Sequence, residues 1–225
     1  MISVKTPSNC IGPETDSVAP GYLILRVTMA GYDPFWRRLR FPAQFTLSHL
    51  HHVIQAVTLF GDYHLHHFID KNGQLYAPEA KEKPLLFDKR PRQLEHETAA
   101  GVVLGQKGDT ILYNYDFGDG WEFLITTEGL EPLTEGEAPH IICLGGEKAG
   151  PIEDCGGIGS FLSILKVLAG PDKKAKKKIA WMCEGYDPDH FDLEKTNLKL
   201  ASFTRPRDAA PEVNDKPADE PSANE

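Results

Sequence analysis

The chain is poor in cysteine, with four in 225 residues. Cys10, Cys143, Cys155 and Cys183 stand far apart and form no CxxC pair, which argues against a compact four-thiolate zinc site and a dense disulfide framework. No apolar run approaches the roughly 20 residues that cross a bilayer, and no secretory leader is recognisable. A cytoplasmic protein without membrane contact is therefore expected. Positive charge is also scarce: 24 basic residues against 33 acidic ones give a formal net charge of −9, which opposes non-specific attachment to phosphate backbones. The GxSxG elbow, the GxxxxGKS/T phosphate loop, HExxH and GxGxxG are absent, which weakens the corresponding enzyme readings.

What is present centres on residues 113–123, Tyr-Asn-Tyr-Asp-Phe-Gly-Asp-Gly-Trp-Glu-Phe. Apolar and polar positions alternate on both sides of Asp119-Gly120, the pattern of a half-buried β-hairpin whose turn needs positive φ. The rings of Tyr113, Tyr115 and Phe117, in phase along the first strand, and of Trp121 and Phe123 along the second then supply core and cross-strand packing.

Residues 1–20 read as a loosely ordered lead-in and residues 204–225 as a disordered acidic tail rich in proline and alanine. Between them, residues 21–203 are long enough for one compact α+β domain, a mostly antiparallel sheet packed against helices. Strands are expected over 22–30 and 36–41. In the second, Trp36, Arg38 and Arg40 share one face and Arg37, Leu39 and Phe41 the other, with arginine stems covering apolar surface and their heads exposed. Thr46 is a candidate N-cap for a helix with Leu47, Leu50, Ile54 and Val57 inward and His49, His51 and His52 toward solvent. Residues 63–69 read as a short strand with His64 and His66 on one side. Residues 78–108 read as loop with a short helix near 94–100, and residues 128–139 as an acidic loop. The glycine-rich run 145–157 implies special dihedrals or close backbone approach. Helices follow over about 160–169 and 173–183, the second with a solvated lysine face.

Three groups carry potential chemistry: His64 with His66, Asp116 with Asp119, and Glu153 with Asp154 and Cys155. Such donors suit zinc, manganese or magnesium and would activate a bound water. Sequence alone does not bring them together, and Asp119 in a tight turn commonly bonds its own backbone. Cys143 and Cys155 read as buried thiols.

Six motifs occur in one order across residues 20–200. They are the strand Tyr22-Leu23-Ile24-Leu25-Arg26-Val27; Pro34-Phe35-Trp36-Arg37-Arg38; Leu50-His51-His52-Val53-Ile54-Gln55; His64-Leu65-His66; Tyr115 to Asp119 with Trp121; and residues 151–157, followed by Phe191-Asp192-Leu193 and Asn197. In these the chain resembles the plasmid pRiA4b ORF-3-like family, the passenger TnpR family of the insertion element IS1096. The resemblance implies a compact α+β domain and an accessory gene of plasmids and mobile elements, without recombinase chemistry. The chain departs from the family pattern at Phe123, where relatives tend to carry histidine, at Gly150 in place of cysteine, and at Ile152 in place of proline.

The functional expectation is a non-enzymatic binding module that meets a protein or nucleic-acid partner through Trp36, Arg37, Arg38, Arg40 and Trp121. The alternative is a metal-dependent hydrolase or nuclease. Its divalent cation would sit on His64, His66, Asp116 and Glu153, with Asp116, Asp119, Glu153 and Asp154 as catalytic carboxylates. A divalent metal is the cofactor under that alternative alone.

Overall fold

The structure is a computed structural model and describes residues 18–79 and 91–203. The strands are β1 (Gly21–Met29), β2 (Trp36–Pro42), β3 (His66–Asp70), β4 (Leu75–Ala77), β5 (Arg92–Leu94), β6 (Thr110–Tyr115), β7 (Trp121–Pro132) and β8 (Ile142–Glu147). The helices are α1 (Leu47–Thr58), α2 (Ala100–Leu104), α3 (Gly157–Ala169), α4 (Lys173–Ile179) and α5 (Leu193–Leu200). The strands join in one eight-stranded sheet, ordered β5-β4-β3-β6-β7-β1-β2-β8, with every pair antiparallel except β4 with β5. The mixed α+β class read from the sequence is the one that forms. The expected lead-in and acidic tail lie outside the described residues, apart from residues 18–20.

Alternation sets the layers. Leu23, Leu25, Val27 and Met29 of β1 and Ile111, Tyr113 and Tyr115 of β6 are buried on the helix side of the sheet, together with Trp121, Phe123 and Ile125 of β7. Helix α1 begins at Thr46, whose Oγ1 accepts from the His49 N–H, while His49 Nδ1 accepts from the Thr46 N–H in the position usually held by Glu in a capping box. The next orphan donors, Leu47 N–H and Ser48 N–H, go to the carbonyls of Thr98 and Glu95. The turn at 95–98 therefore serves as the cap of α1. It also displaces the helix expected near 94–100: residues 92–94 pair with β4, and the helix starts only at Ala100.

Four further expectations change. Phe117 is 47% exposed instead of joining the core ladder, because β6 ends at Tyr115 and the chain turns at Asp116 with φ 52°. His51 is buried rather than solvent-facing, because His51, Gln55 and Thr58 are enclosed along with the apolar stripe of α1. Strand β7 runs on to Pro132, so the first part of the expected acidic loop pairs with β1 through a bulge near Ile24/Leu25. Arg37 does not expose its head. Its guanidinium donates to the carbonyls of Val57, Trp36, Glu147 and Lys148 and lies between the rings of Phe35 and Phe191. Burial pulls its pKa down to about 10. Among the described residues no helix is long and apolar enough to cross a membrane.

Candidate metal centre

Three loops meet at one end of the aromatic hairpin: residues 59–65 after α1, the turn 116–120 between β6 and β7, and residues 148–157 before α3. All five non-glycine residues with positive φ among the described residues, Leu59, Asp62, Asp116, Lys148 and Asp154, fall in these loops. Each such conformation costs about 1–2 kcal/mol. Strain gathered in one place, where the surrounding contacts hold it, marks a built site.

The loops are bolted together by polar groups. The Tyr115 hydroxyl donates to Glu153 Oε1 at 2.6 Å and accepts from the Tyr63 N–H, while Glu153 Oε2 accepts from the Gly61 N–H at 2.8 Å. Burial, with the Glu153 carboxylate next, pushes the Tyr115 phenol well above its ordinary range. Asp116 Oδ1 accepts from the N–H groups of Gly118 and Asp119, closing the turn that Gly120 completes at φ 67°. Asp119 Oδ2 accepts from the Gly156 N–H. Gly157 lies so close to this turn that an added Cβ would stand 2.2 Å from the Asp119 carbonyl oxygen, so the paired glycines permit a docking that no side chain would.

Within this frame His64 Nε2 faces two carboxylates, Asp154 Oδ1 at 2.9 Å and Asp116 Oδ2 at 3.8 Å. The nitrogen itself is buried and has no partner in hydrogen-bond geometry, so the 2.9 Å approach is a close contact without a directed bond. One donor atom from each of the three residues lies within 4.8 Å of the others. Asp116 is mostly buried, whereas the Asp154 side chain is 67% exposed and leaves one side of the trio open. One imidazole nitrogen and two carboxylates suit zinc or manganese.

A second histidine group lies on α1 and β3. The Asp62 N–H donates to Gln55 Oε1, which orients that amide so that its nitrogen donates to the Tyr113 hydroxyl at 2.9 Å. The hydroxyl proton is then directed to His51 Nδ1 at 2.7 Å. Burial holds the His51 pKa down to about 2, so the ring is neutral, and its one proton sits on Nε2 and goes to Asp62 Oδ1 at 2.9 Å. His66 stacks on His51 with centroids 3.5 Å apart and bonds the buried Glu95 through Nε2. His52 Nδ1 lies 3.6 Å from Asp62 Oδ2, so His51, His52 and Asp62 also form a cluster within ligand range. A cation there would have to displace the proton that His51 already uses.

The structure thus brings His64, Asp116 and Asp154 together and puts Glu153 and Asp119 beside them as hydrogen-bonded supports. His66 is engaged elsewhere, because His64 precedes β3 and does not share its pleat. Of the expected partner-binding residues, Arg37 and Trp121 are buried and present no surface. Arg38 and Arg40 pair with Glu128, Glu131 and Glu137 on the outer sheet face, and Trp36 lies under the Arg26 guanidinium. Cys143 and Cys155 are buried thiols, the latter pushed up to about 11 by burial and then by the Asp119 charge. The sequence reading missed His51, Asp62 and Glu95. Their partners lie up to 62 residues away in the chain, and no local spacing signals them.

A family model described as plasmid pRiA4b ORF-3-like protein matches residues 22–195. An uncharacterised protein, y4hQ, of Sinorhizobium fredii strain NGR234 is 28% identical over 178 residues, covering 79% of this chain and 88% of the relative. A crystal structure described as a protein of unknown function, MM3350, from Methanosarcina mazei Go1 is 30% identical with a TM-score of 0.67, covering 79% of this chain and 97% of that one.

Proposed function

We propose that this chain, which belongs to the plasmid pRiA4b ORF-3-like family, binds a divalent cation on His64, Asp116 and Asp154 and uses it for hydrolysis. The observation that carries the reading is the buried His64 Nε2, without a directed hydrogen bond, facing two carboxylates from two other strained loops. Leaving a polar nitrogen buried without a partner costs about 1–3 kcal/mol, and a metal ligand bond is one way to recover it. A cation held there would lower the pKa of a water ligand toward neutrality. We assign the water's proton to Asp119, which lies in the same turn as Asp116 and has one oxygen tied to the Gly156 N–H. Glu153 holds the loop of His64 against the loop of Asp154 through its bonds to Tyr115 and Gly61.

The test is calorimetric titration with manganese and zinc, followed by hydrolysis of p-nitrophenyl phosphate esters. One ion per chain is expected, with Asp116→Asn and Asp154→Asn each lowering affinity at least tenfold. No saturable binding of either ion sinks the proposal. A binding role without turnover is the second reading, favoured by Trp36 and Arg38 on the outer sheet face. Tight metal binding with no ester hydrolysis selects it.

A further inference from the structure

Large aromatic side chains are mostly buried in this fold, and the exceptions are unevenly placed. Among the described residues, the exposed members of the Phe, Tyr and Trp set are Tyr63 at 79%, Phe117 at 47% and Trp181 at 77%. Two of these three are chain neighbours of candidate ligands: Tyr63 precedes His64 and Phe117 follows Asp116. Their Cα atoms are therefore about 3.8 Å from those of the ligating residues. Leu65, on the other side of His64, is exposed as well, and its carbonyl accepts from the Asp116 N–H, which ties the two segments together.

Both rings are supported. Tyr63 packs against Gly61, where an added Cβ would meet its ring at 2.2 Å, and its own N–H is held by the Tyr115 hydroxyl. Phe117 lies against the His67 ring, with centroids 4.9 Å apart. Rings held from behind and open in front serve as stacking platforms for a flat ligand.

The charge around them narrows the ligand. Asp116, Asp119, Glu153 and Asp154 cluster here, and among the described residues no lysine or arginine pairs with any of them. A phosphate is repelled from this end of the molecule unless a cation sits between. With a cation on the nitrogen and oxygen donors of the trio, phosphate oxygens become good partners. The nearby sheet cations, Arg26, Arg38 and Arg40, are already engaged with Glu128, Glu131 and Glu137. So paired, these three arginines do not form an open cationic track for a long polynucleotide backbone.

We infer that the ligand of this site is a nucleotide-sized phosphate ester, its phosphate on the cation held by His64, Asp116 and Asp154 and its base stacked on Tyr63 or Phe117. The inference rests on the cation site proposed above. It assigns the two exposed rings the task of selecting a flat base, and it makes binding depend on both cation and ring.

The test uses the full chain saturated with manganese and compares AMP, ribose 5-phosphate and inorganic phosphate by calorimetry. AMP is expected to bind about tenfold tighter than ribose 5-phosphate, the order of one base–aromatic stack. The double variant Tyr63→Leu, Phe117→Leu keeps apolar bulk and removes both flat rings. It should bind AMP and ribose 5-phosphate equally while retaining its manganese affinity. Equal affinities in the unsubstituted chain, or manganese binding with no uptake of any of the three phosphates, overturns the base-stacking inference and leaves the cation site standing. Failure to bind manganese at all removes the cation site and this inference together.

Discussion

Two histidine groups lie within a few residues of one another along the chain, and they differ in one respect. Around His51 both ring nitrogens have directed partners: Gln55, Tyr113, His51 and Asp62 form a continuous donor-to-acceptor series, and His66 bonds Glu95 in the stack beside it. At His64 the ring nitrogen is buried with carboxylates nearby and no directed bond. A buried, fully satisfied network is worth more to stability than its separate bonds suggest. An unsatisfied one persists only where neighbouring structure holds it, and the strained backbone of the three loops shows that holding. The first histidine group reads as framework and the second as site, although their residue types are nearly the same.

The largest effect is expected for His51→Ala. It deletes a buried ring and strands the Tyr113 hydroxyl, so a loss of about 3 kcal/mol in unfolding free energy is expected from urea titration. A loss below about 1 kcal/mol would remove the framework assignment.

Acid should act on the same residue. His51 stays neutral in the fold, with its pKa held down to about 2 against an ordinary 6.5. Below pH 6.5 the unfolded chain binds a proton that the native state refuses, so stability is fully present above 6.5 and falls as the pH drops from there toward 2. Between pH 7 and pH 5 this amounts to about 2 kcal/mol. The His51→Gln variant should lose that part of the slope, and an unchanged slope would show that the proton is taken up elsewhere.

The smallest stability effect is expected at the other centre. His64→Ala removes a nitrogen whose 2.9 Å approach to Asp154 is not a directed bond, so the metal-free protein should change by no more than about 1 kcal/mol, while manganese binding disappears. A large destabilisation with binding intact would reverse the roles given to the two histidine groups.

Much of the scaffold was legible because its signals are local. The period-two runs at residues 22–29 and 111–125, the acidic turn at 119–120, and the Thr46 cap with Leu47, Leu50, Ile54 and Val57 each specify their own element. Glycines 156 and 157 announced a close approach, which the Asp119 carbonyl fills. Other features were not local. Helix α1 is capped by carbonyls from a turn nearly 50 residues later, and Arg37 looked like a surface cation until four carbonyls from α1, β2 and the end of β8 closed around it. Strand β5 reads as loop in isolation because three residues form a strand only where a neighbour supplies the ladder.

Periodicity and turn residues act over a few positions, which is why the α+β class, the hairpin with its turn, and the donor types available for chemistry could be read from the chain alone. That Asp154 and not His66 stands beside His64, and that Glu153 bonds Tyr115 and Gly61 instead of joining the trio, is visible only in the folded chain. Those choices depend on where three separated loops are packed against the end of one hairpin. Side-chain distances of a few ångströms between such loops follow from the packing of the whole body, which no short stretch of the chain encodes.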